Sequence, residues 1–233
     1  MISPRPLEIA DQVPADCAGT REIGFAIPET YNASRVLFDN LGKGRGDRLA
    51  LTGPKGTLTY SELCAEASRW GHGFLSLGLR RGDRVLTFLD DTPAYPAAFF
   101  GAVRTGLVPL LINTLTTPDL LQFYLSDSAA TVAVADAEFC TRFDAVACKD
   151  TQLRTLIVVN GETGEHRSAA SDHAVPSTVV AKQWLPGFPS ELAEAATNRN
   201  EMAFWMYSSG STGRPKGIVD LQHDMAYSDE AFA

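Results

Sequence analysis

Residues 84–112 read RVLTFLDDTPAYPAAFFGAVRTGLVPLLI, and the reading of this stretch decides the fold. Arg84–Leu89 is an apolar run closed by two aspartates, the pattern of a buried strand. Pro93–Thr105 is rich in Ala and Phe and reads as a helix, with Asp91 or Thr92 expected as its cap. Leu107–Ile112 follows as a second strand. A strand, a helix and a second strand in so short a span form a right-handed crossover, which makes the two strands parallel.

Downstream the alternation continues. Thr117-Pro-Asp-Leu opens another helix with proline in its first turn, Thr131–Ala135 is a strand, Asp136–Ala147 is helical, and Leu156–Val159 is a fourth strand. The continuous apolar character of LVPLLI and TLIVV suits strands covered on both faces. The expected fold class is therefore α/β, a mainly parallel βαβ sheet with flanking helices. Residues 160–182 are polar and aperiodic and read as a loop or linker. Trp184–Asn200 is expected to hold a short helix before a new strand, Met202–Ser208. Ile218-Val219 leads away from the following loop, and Gln222–Phe232 starts a further helix.

Upstream, residues 1–31 have no sustained period and read as an extended arm. Asn32–Leu41 is helical, and Leu49–Thr52 with Thr57–Tyr60 is a hairpin across a Gly/Pro turn. Thr59 and Glu62 fit a capping box. The stripe Leu63, Ala67, Trp70, Phe74, Leu77 marks one helix face, and Gly78 stands where a left-handed residue ends the helix. The expected division is an arm (1–31), a first α/β subdomain (32–182) and the start of a second (183–233).

The chain has 233 residues, a net charge of −8 and 45% hydrophobic residues. The acidic balance argues against nucleic acid as a partner. No apolar run approaches membrane length and no leader pattern opens the chain, so the expectation is a cytoplasmic protein without a membrane partner. Cys17, Cys64, Cys140 and Cys148 form no CxxC pair and read as reduced thiols, not as a metal set.

The chemistry is concentrated in Tyr207–Gly217, YSSGSTGRPKG. Gly210 and Gly213 let backbone N–H groups converge on an anion, while Ser208, Ser209, Ser211, Thr212 and Lys216 add donors and a charge. An acidic protein that holds polyphosphate must do so with such local donors. The Walker A pattern fails, because Pro215 stands where the second glycine belongs and Gly217 where Ser or Thr is required. The dinucleotide GxGxxG pattern fails on glycine spacing.

The order [YF]-[ST]-S-G-[ST]-T-G-x-P-K-G is met at every place. It resembles the phosphate-binding signature of the adenylate-forming superfamily of acyl-CoA synthetases. TYSEL, GDRV and GAVRTGLVPLLINTLTTP look like the same superfamily's N-terminal region. YNAS, LGKGRGDRLAL, INTLTTPD and WMYSSGSTGRPKG followed by QHDMAY resemble its benzoate-CoA ligase group. The resemblance implies that the chain spans the first subdomain of the family's N-terminal domain and the start of the second. It implies an ATP-dependent ligase that forms an aryl-adenylate and pyrophosphate, then the aryl-CoA thioester, with ATP, Mg2+ and coenzyme A as co-substrates.

Carried over residue by residue, the resemblance assigns Ser208, Ser209, Gly210, Ser211, Thr212, Gly213, Lys216 and Gly217 to the ATP phosphates. It gives Thr212, Lys216 and His223 catalytic parts, Thr212 a contact to the metal, and Ala226 and Tyr227 the wall of a flat pocket for a small aromatic carboxylic acid. Asp220 departs from the pattern, since many relatives have histidine there. The family's later motifs (the acidic magnesium ligand, the ribose-holding aspartate, the hinge, the late lysine and the CoA surface) are not in this sequence. The expectation is thus no ligase turnover by these 233 residues alone, and self-association through exposed apolar surface near Met202–Ser208. A fatty-acyl or amino-acid adenylate former, or a non-catalytic remnant, stands as the alternative.

Overall fold

The computed structural model describes residues 26–146, 151–161, 177–208 and 215–232. Helix α1 (Arg35–Gly42) precedes a hairpin of β1 (Leu49–Gly53) and β2 (Gly56–Thr59), paired antiparallel. Helix α2 (Tyr60–Ser76) starts on the expected capping box: the Thr59 hydroxyl accepts from the Glu62 amide, and the Glu62 carboxylate accepts from the Thr59 amide. Gly78 follows its end at φ +82, the left-handed conformation in which glycine has no Cβ to strain. Then come β3 (Arg84–Phe88), α3 (Ala94–Arg104), β4 (Val108–Leu111), α4 (Pro118–Ser128), β5 (Val132–Asp136), α5 (Cys140–Val146) and β6 (Thr155–Val159). The last elements are β7 (Ser177–Val180), α6 (Ala181–Trp184), β8 (Met202–Ser208), β9 (Lys216–Leu221) and α7 (Asp224–Phe232).

The main sheet has the order β7-β6-β5-β3-β4-β8-β9 and is parallel except for β9, which pairs antiparallel with β8. The run β4-β3-β5-β6-β7 is a doubly wound order whose direction reverses between β3 and β5. Period-two alternation splits the strand side chains between two cores. Val85, Val132, Val134 and Ile157 face α2 and α3, where Trp70 and Phe74 lie buried. Leu86, Phe88, Ala133 and Val158 face α4 and α5, through Leu121, Leu125 and Phe143. Because both faces are covered, no strand from β3 to β6 needs a polar side, and the apolar runs follow. Helices α2 and α3 cross closely: a Cβ on Gly101 would lie 2.5 Å from the Ala67 carbonyl oxygen.

Four expectations are corrected. Helix α1 begins at Arg35, not Asn32, because the Asn32 side chain is used elsewhere: its amide donates to the Val103 and Ala195 carbonyls at 3.0 and 3.3 Å. Neither Asp91 nor Thr92 caps α3. Pro93 holds the N-cap position without a side-chain cap bond, and the Thr92 carbonyl accepts the Tyr95 amide instead. The segment 160–182 is not all loop: Ser177–Val180 adds a parallel edge strand to β6. The short helix placed within 184–200 lies earlier, at Ala181–Trp184, and a single 3-10 turn at Leu185–Gly187 follows it. Residues 188–200 form a strap with little regular structure. Arg104 Nε holds the Leu192 carbonyl at 2.6 Å, the Ala195 amide donates to the Arg104 carbonyl at 2.8 Å, and Glu194 pairs with Arg35.

Strand β8 is hydrogen-bonded to β4, so the stretch assigned from sequence to a second unit shares its sheet with the first. Residues 27–31 run along 197–199: the Tyr31 amide donates to the Thr197 carbonyl, and Arg199 Nη1 to the Ile27 carbonyl. Cys64 and Cys140 are buried thiols; burial pushes the Cys64 thiol up to about 11. Cys17 and Cys148 lie outside the described residues.

Candidate phosphate-loop hairpin

Parallel β8 delivers its C-terminal residue, Ser208, to the same edge of the sheet at which β3, β4, β5 and β6 end. Strand β9 returns antiparallel, with Ser208 opposite Lys216 and Tyr207 opposite Gly217. The glycine- and hydroxyl-rich residues therefore connect two adjacent strands at the carboxyl edge, where open α/β sheets place ligands. Ser209, Gly210, Ser211, Thr212 and Gly213 lie outside the described residues. Ser208 is half-buried, and Lys216 and Gly217 are exposed. Lys216 has no ion pair among the described residues.

The base of the loop is fixed on α4. The Tyr207 hydroxyl donates to Asp127 Oδ2 at 2.8 Å, and its ring lies 4.2 Å from that of Tyr124. Burial, then the hydrogen bond to the Asp127 carboxylate, raises the Tyr207 phenol well above its ordinary value, so it remains a donor.

His223 lies between β9 and α7. Its Nδ1 is 2.8 Å from the Arg199 carbonyl, its Nε2 is 3.1 Å from Asp224 Oδ1, and its ring meets Tyr227 edge-on at 5.3 Å. Both ring nitrogens are thus engaged by oxygens. Ala226 is buried against Ile27 and Tyr31, whereas the neighbouring Tyr227 is exposed. The structure brings His223 and Tyr227 together and turns Ala226 towards the N-terminal segment.

Asp220 stands opposite Phe204. Its Oδ2 is buried and makes no hydrogen bond, and burial, followed by the nearby Asp224, raises its carboxyl above the usual value. The native state therefore disfavours ionised Asp220. This penalty is absent below the unfolded carboxyl range near about pH 3.9 and grows as pH rises through the folded value. Asp220→Asn is expected to raise Tm in dilute neutral solution and to leave it unchanged under acid conditions. A neutral-pH Tm equal to or below that of the unaltered chain counts against the assignment.

Two features escaped the sequence reading. Gln222 is fully buried: its Oε1 accepts from the Ala33 amide at 2.7 Å and its Nε2 donates to the Met202 carbonyl at 3.2 Å. At the carboxyl edge Asp136 is buried, with Oδ2 accepting from the Asp90 amide and Oδ1 from Asn160 Nδ2, both at 2.8 Å. Thr114 donates to Asp90 Oδ1 at 3.0 Å, and Lys55 lies 3.7 Å from Asp90 Oδ2. A crevice of about 530 Å³ opens beside Asp136, Lys55 and Thr92, near the reversal point of the sheet. The two aspartates that close β3 were visible in the sequence, but not that Asp90, Thr114, Asp136 and Asn160 bond to one another.

No helix among the described residues is long and apolar enough to cross a membrane. No group of three or more His, Cys, Asp or Glu among them could hold a metal ion.

A doubly wound sheet carrying this hairpin at its carboxyl edge defines the class as an α/β protein. The chain belongs to the AMP-binding enzyme family, whose model matches residues 38–231. It is 39% identical over 210 residues to a benzoate–CoA ligase of Thauera aromatica, covering 89% of this chain and 37% of that protein. It is 35% identical over 192 residues to a 4-hydroxybenzoate–CoA/benzoate–CoA ligase of Rhodopseudomonas palustris, covering 82% and 33%. Among solved structures, the anthranilate CoA ligase AuaEII in complex with anthranoyl-AMP matches with a TM-score of 0.79 at 28% identity, over 88% of this chain and 38% of that one. The chain thus spans about a third of the length of these relatives.

Proposed function

We propose that this chain is the N-terminal part of an ATP-dependent aryl acid–CoA ligase. The observation that carries the reading is the full phosphate-loop signature placed between β8 and β9 at the carboxyl edge, in a chain similar to benzoate–CoA ligases. In this reading Ser208, Ser209, Ser211 and Thr212 donate to the β- and γ-phosphates of ATP. Gly210, Gly213 and Gly217 admit close backbone approach, and Lys216 adds a point charge. The acid's carboxylate oxygen bonds to the α-phosphorus as the bond to the bridging oxygen breaks, and pyrophosphate carries away the negative charge. The thiolate of coenzyme A then bonds to the acyl carbon and AMP leaves.

Magnesium would accompany the ATP phosphates, with Thr212 as this chain's contact. Its remaining ligands would be the nucleotide itself and groups outside this chain. His223 and Tyr227 would face the aryl-adenylate. Ala226, backed by Ile27 and Tyr31, would set the helix face behind them.

With the rest of the family fold present, pyrophosphate exchange into ATP is expected with benzoate or hydroxybenzoate and not with octanoate or amino acids. Equal exchange with all of these acids overturns the aryl assignment. Exchange with none of them overturns the adenylation reading.

A further inference from the structure

Side chains alternate along a strand, so Trp205 and Tyr207 share the face of β8 that packs on the core of Leu121, Leu125 and Phe143. The residue after Tyr207 is Ser208, the first of the phosphate donors in the ligase reading. Across the ladder Tyr207 is paired with Gly217, the last residue of the same signature. A Cβ at Gly217 would lie 3.6 Å from Tyr207 Cε1, so the ring rests against the backbone there. One side chain thus touches both feet of the glycine- and hydroxyl-rich segment.

That ring is held from α4. The Tyr124 ring lies 4.2 Å away at 35°, and the Phe123 ring 6.2 Å away at 71°. Ring contacts set the plane of a side chain but let it slide, whereas a directional bond fixes its tip. Asp127 Oδ2 supplies that bond, accepting from the Tyr207 hydroxyl at 2.8 Å. Asp127 stands in the last turn of α4, where the helix dipole disfavours a carboxylate and no basic residue accompanies it. The helix end around it is anchored: the Ser128 carbonyl accepts from Arg84 Nε of β3 at 2.7 Å, and the Ser128 hydroxyl donates to the Tyr124 carbonyl at 2.6 Å. Local helix chemistry does not call for an acid at 127; the contact with Tyr207 does.

We propose that Asp127 is a positioning residue for the phosphate loop, acting through Tyr207 to tie the feet of the loop to α4. The inference rests on the ligase reading for what the loop binds, and on the bonds above for how it is held. Asp127 is exposed, so water takes up its carboxylate when the bond is lost and the fold loses little. The alignment of the donors on the phosphates is what suffers.

Hydrogen exchange and Mg2+-ATP titration of the 233-residue chain, with urea denaturation beside them, test the proposal. In Tyr207→Phe and in Asp127→Ala, amides at the paired ends of β8 and β9 are expected to exchange faster, while those of β3 and β5 keep their protection. Mg2+-ATP affinity should fall about threefold to tenfold in each at an unchanged urea midpoint. Asp127→Asn, whose carbonyl still accepts from Tyr207, should keep most of both properties. The double variant D127A/Y207F should be no weaker than either single, because all three lack the same bond. Exchange indifferent to both single changes overturns the proposal, as does an ATP affinity indifferent to them. Effects that add in the double variant, or that come with an equal loss of global stability, overturn it too. An unaltered chain that binds no Mg2+-ATP overturns the ligase reading instead, and exchange alone then decides the part of Asp127.

Discussion

Replacing Phe88 with alanine is expected to lower the unfolding free energy by about 3–5 kcal/mol. Phe88 is fully buried at the end of β3, the strand paired on one side with β4 and on the other with β5. Its ring meets Phe139 and Phe143 edge-on, with centroids at 5.5 and 5.7 Å, and the Arg142 guanidinium lies 5.7 Å from its centroid. A central strand hydrogen-bonded on both sides cannot move to fill the space left by a missing ring, so the cavity term adds to the lost transfer energy. Against a net stability of about 5–15 kcal/mol, the loss is a large fraction of the whole. Urea denaturation should show a much lower midpoint at an unchanged slope. A loss below about 1 kcal/mol would mean that the site repacks and that the second core is not close-packed around this ring.

Gln222→Leu keeps nearly the same volume yet is expected to cost about 1–3 kcal/mol for each polar group it leaves buried and unpaired. Two such groups result, the Ala33 amide and the Met202 carbonyl, which one side chain now satisfies together. The residue joins the chain entering α1 to the start of β8, on the sheet side that also receives α7. Its loss should therefore loosen residues 27–34 before the rest of the domain. Hydrogen exchange should show the Ala33 amide losing protection well ahead of β3 and β5. Gln222→Glu keeps the acceptor for Ala33 but introduces a buried charge, so it should be no milder at neutral pH. Unchanged protection at Ala33 in the leucine variant would remove Gln222 from this role.

Both predictions concern interactions that local sequence cannot display. The helix stripe of α2, its capping box, the glycine after it and the βαβ rhythm from Arg84 to Val159 are patterns of near neighbours, and all were legible. Strand β7 was not, because two exposed and two half-buried residues on a sheet edge carry no alternation to distinguish them from the polar text around them. The cap of α3 was misread for a related reason: Thr92 has the right chemistry, but Pro93 takes the N-cap place and the main chain closes the turn.

At the candidate site, the strand that leads into the glycine- and hydroxyl-rich stretch and the one that leads away were legible. Their supports were not. Tyr207 reaches Asp127 across 80 residues, Gln222 reaches Ala33 across 189, and Asp136 reaches the Asp90 amide across 46. Such pairs exist only once the sheet order is set. Which of Ala226 and Tyr227 is covered was likewise not legible. Adjacent residues on a helix diverge by about 100°, and packing on Ile27 and Tyr31 determines that Ala226 is the covered one.

We propose above that the β8–β9 hairpin is a polyphosphate site. Backbone amide shifts of the 233-residue chain, recorded by NMR while Mg2+-ATP is added, test it most directly. The largest changes are expected from Ser208 to Gly217, with a modest loss of affinity on Lys216→Ala. Shifts that leave Ser208–Gly217 unmoved, or that gather only around Lys55, Asp136 and Asn160, would contradict it.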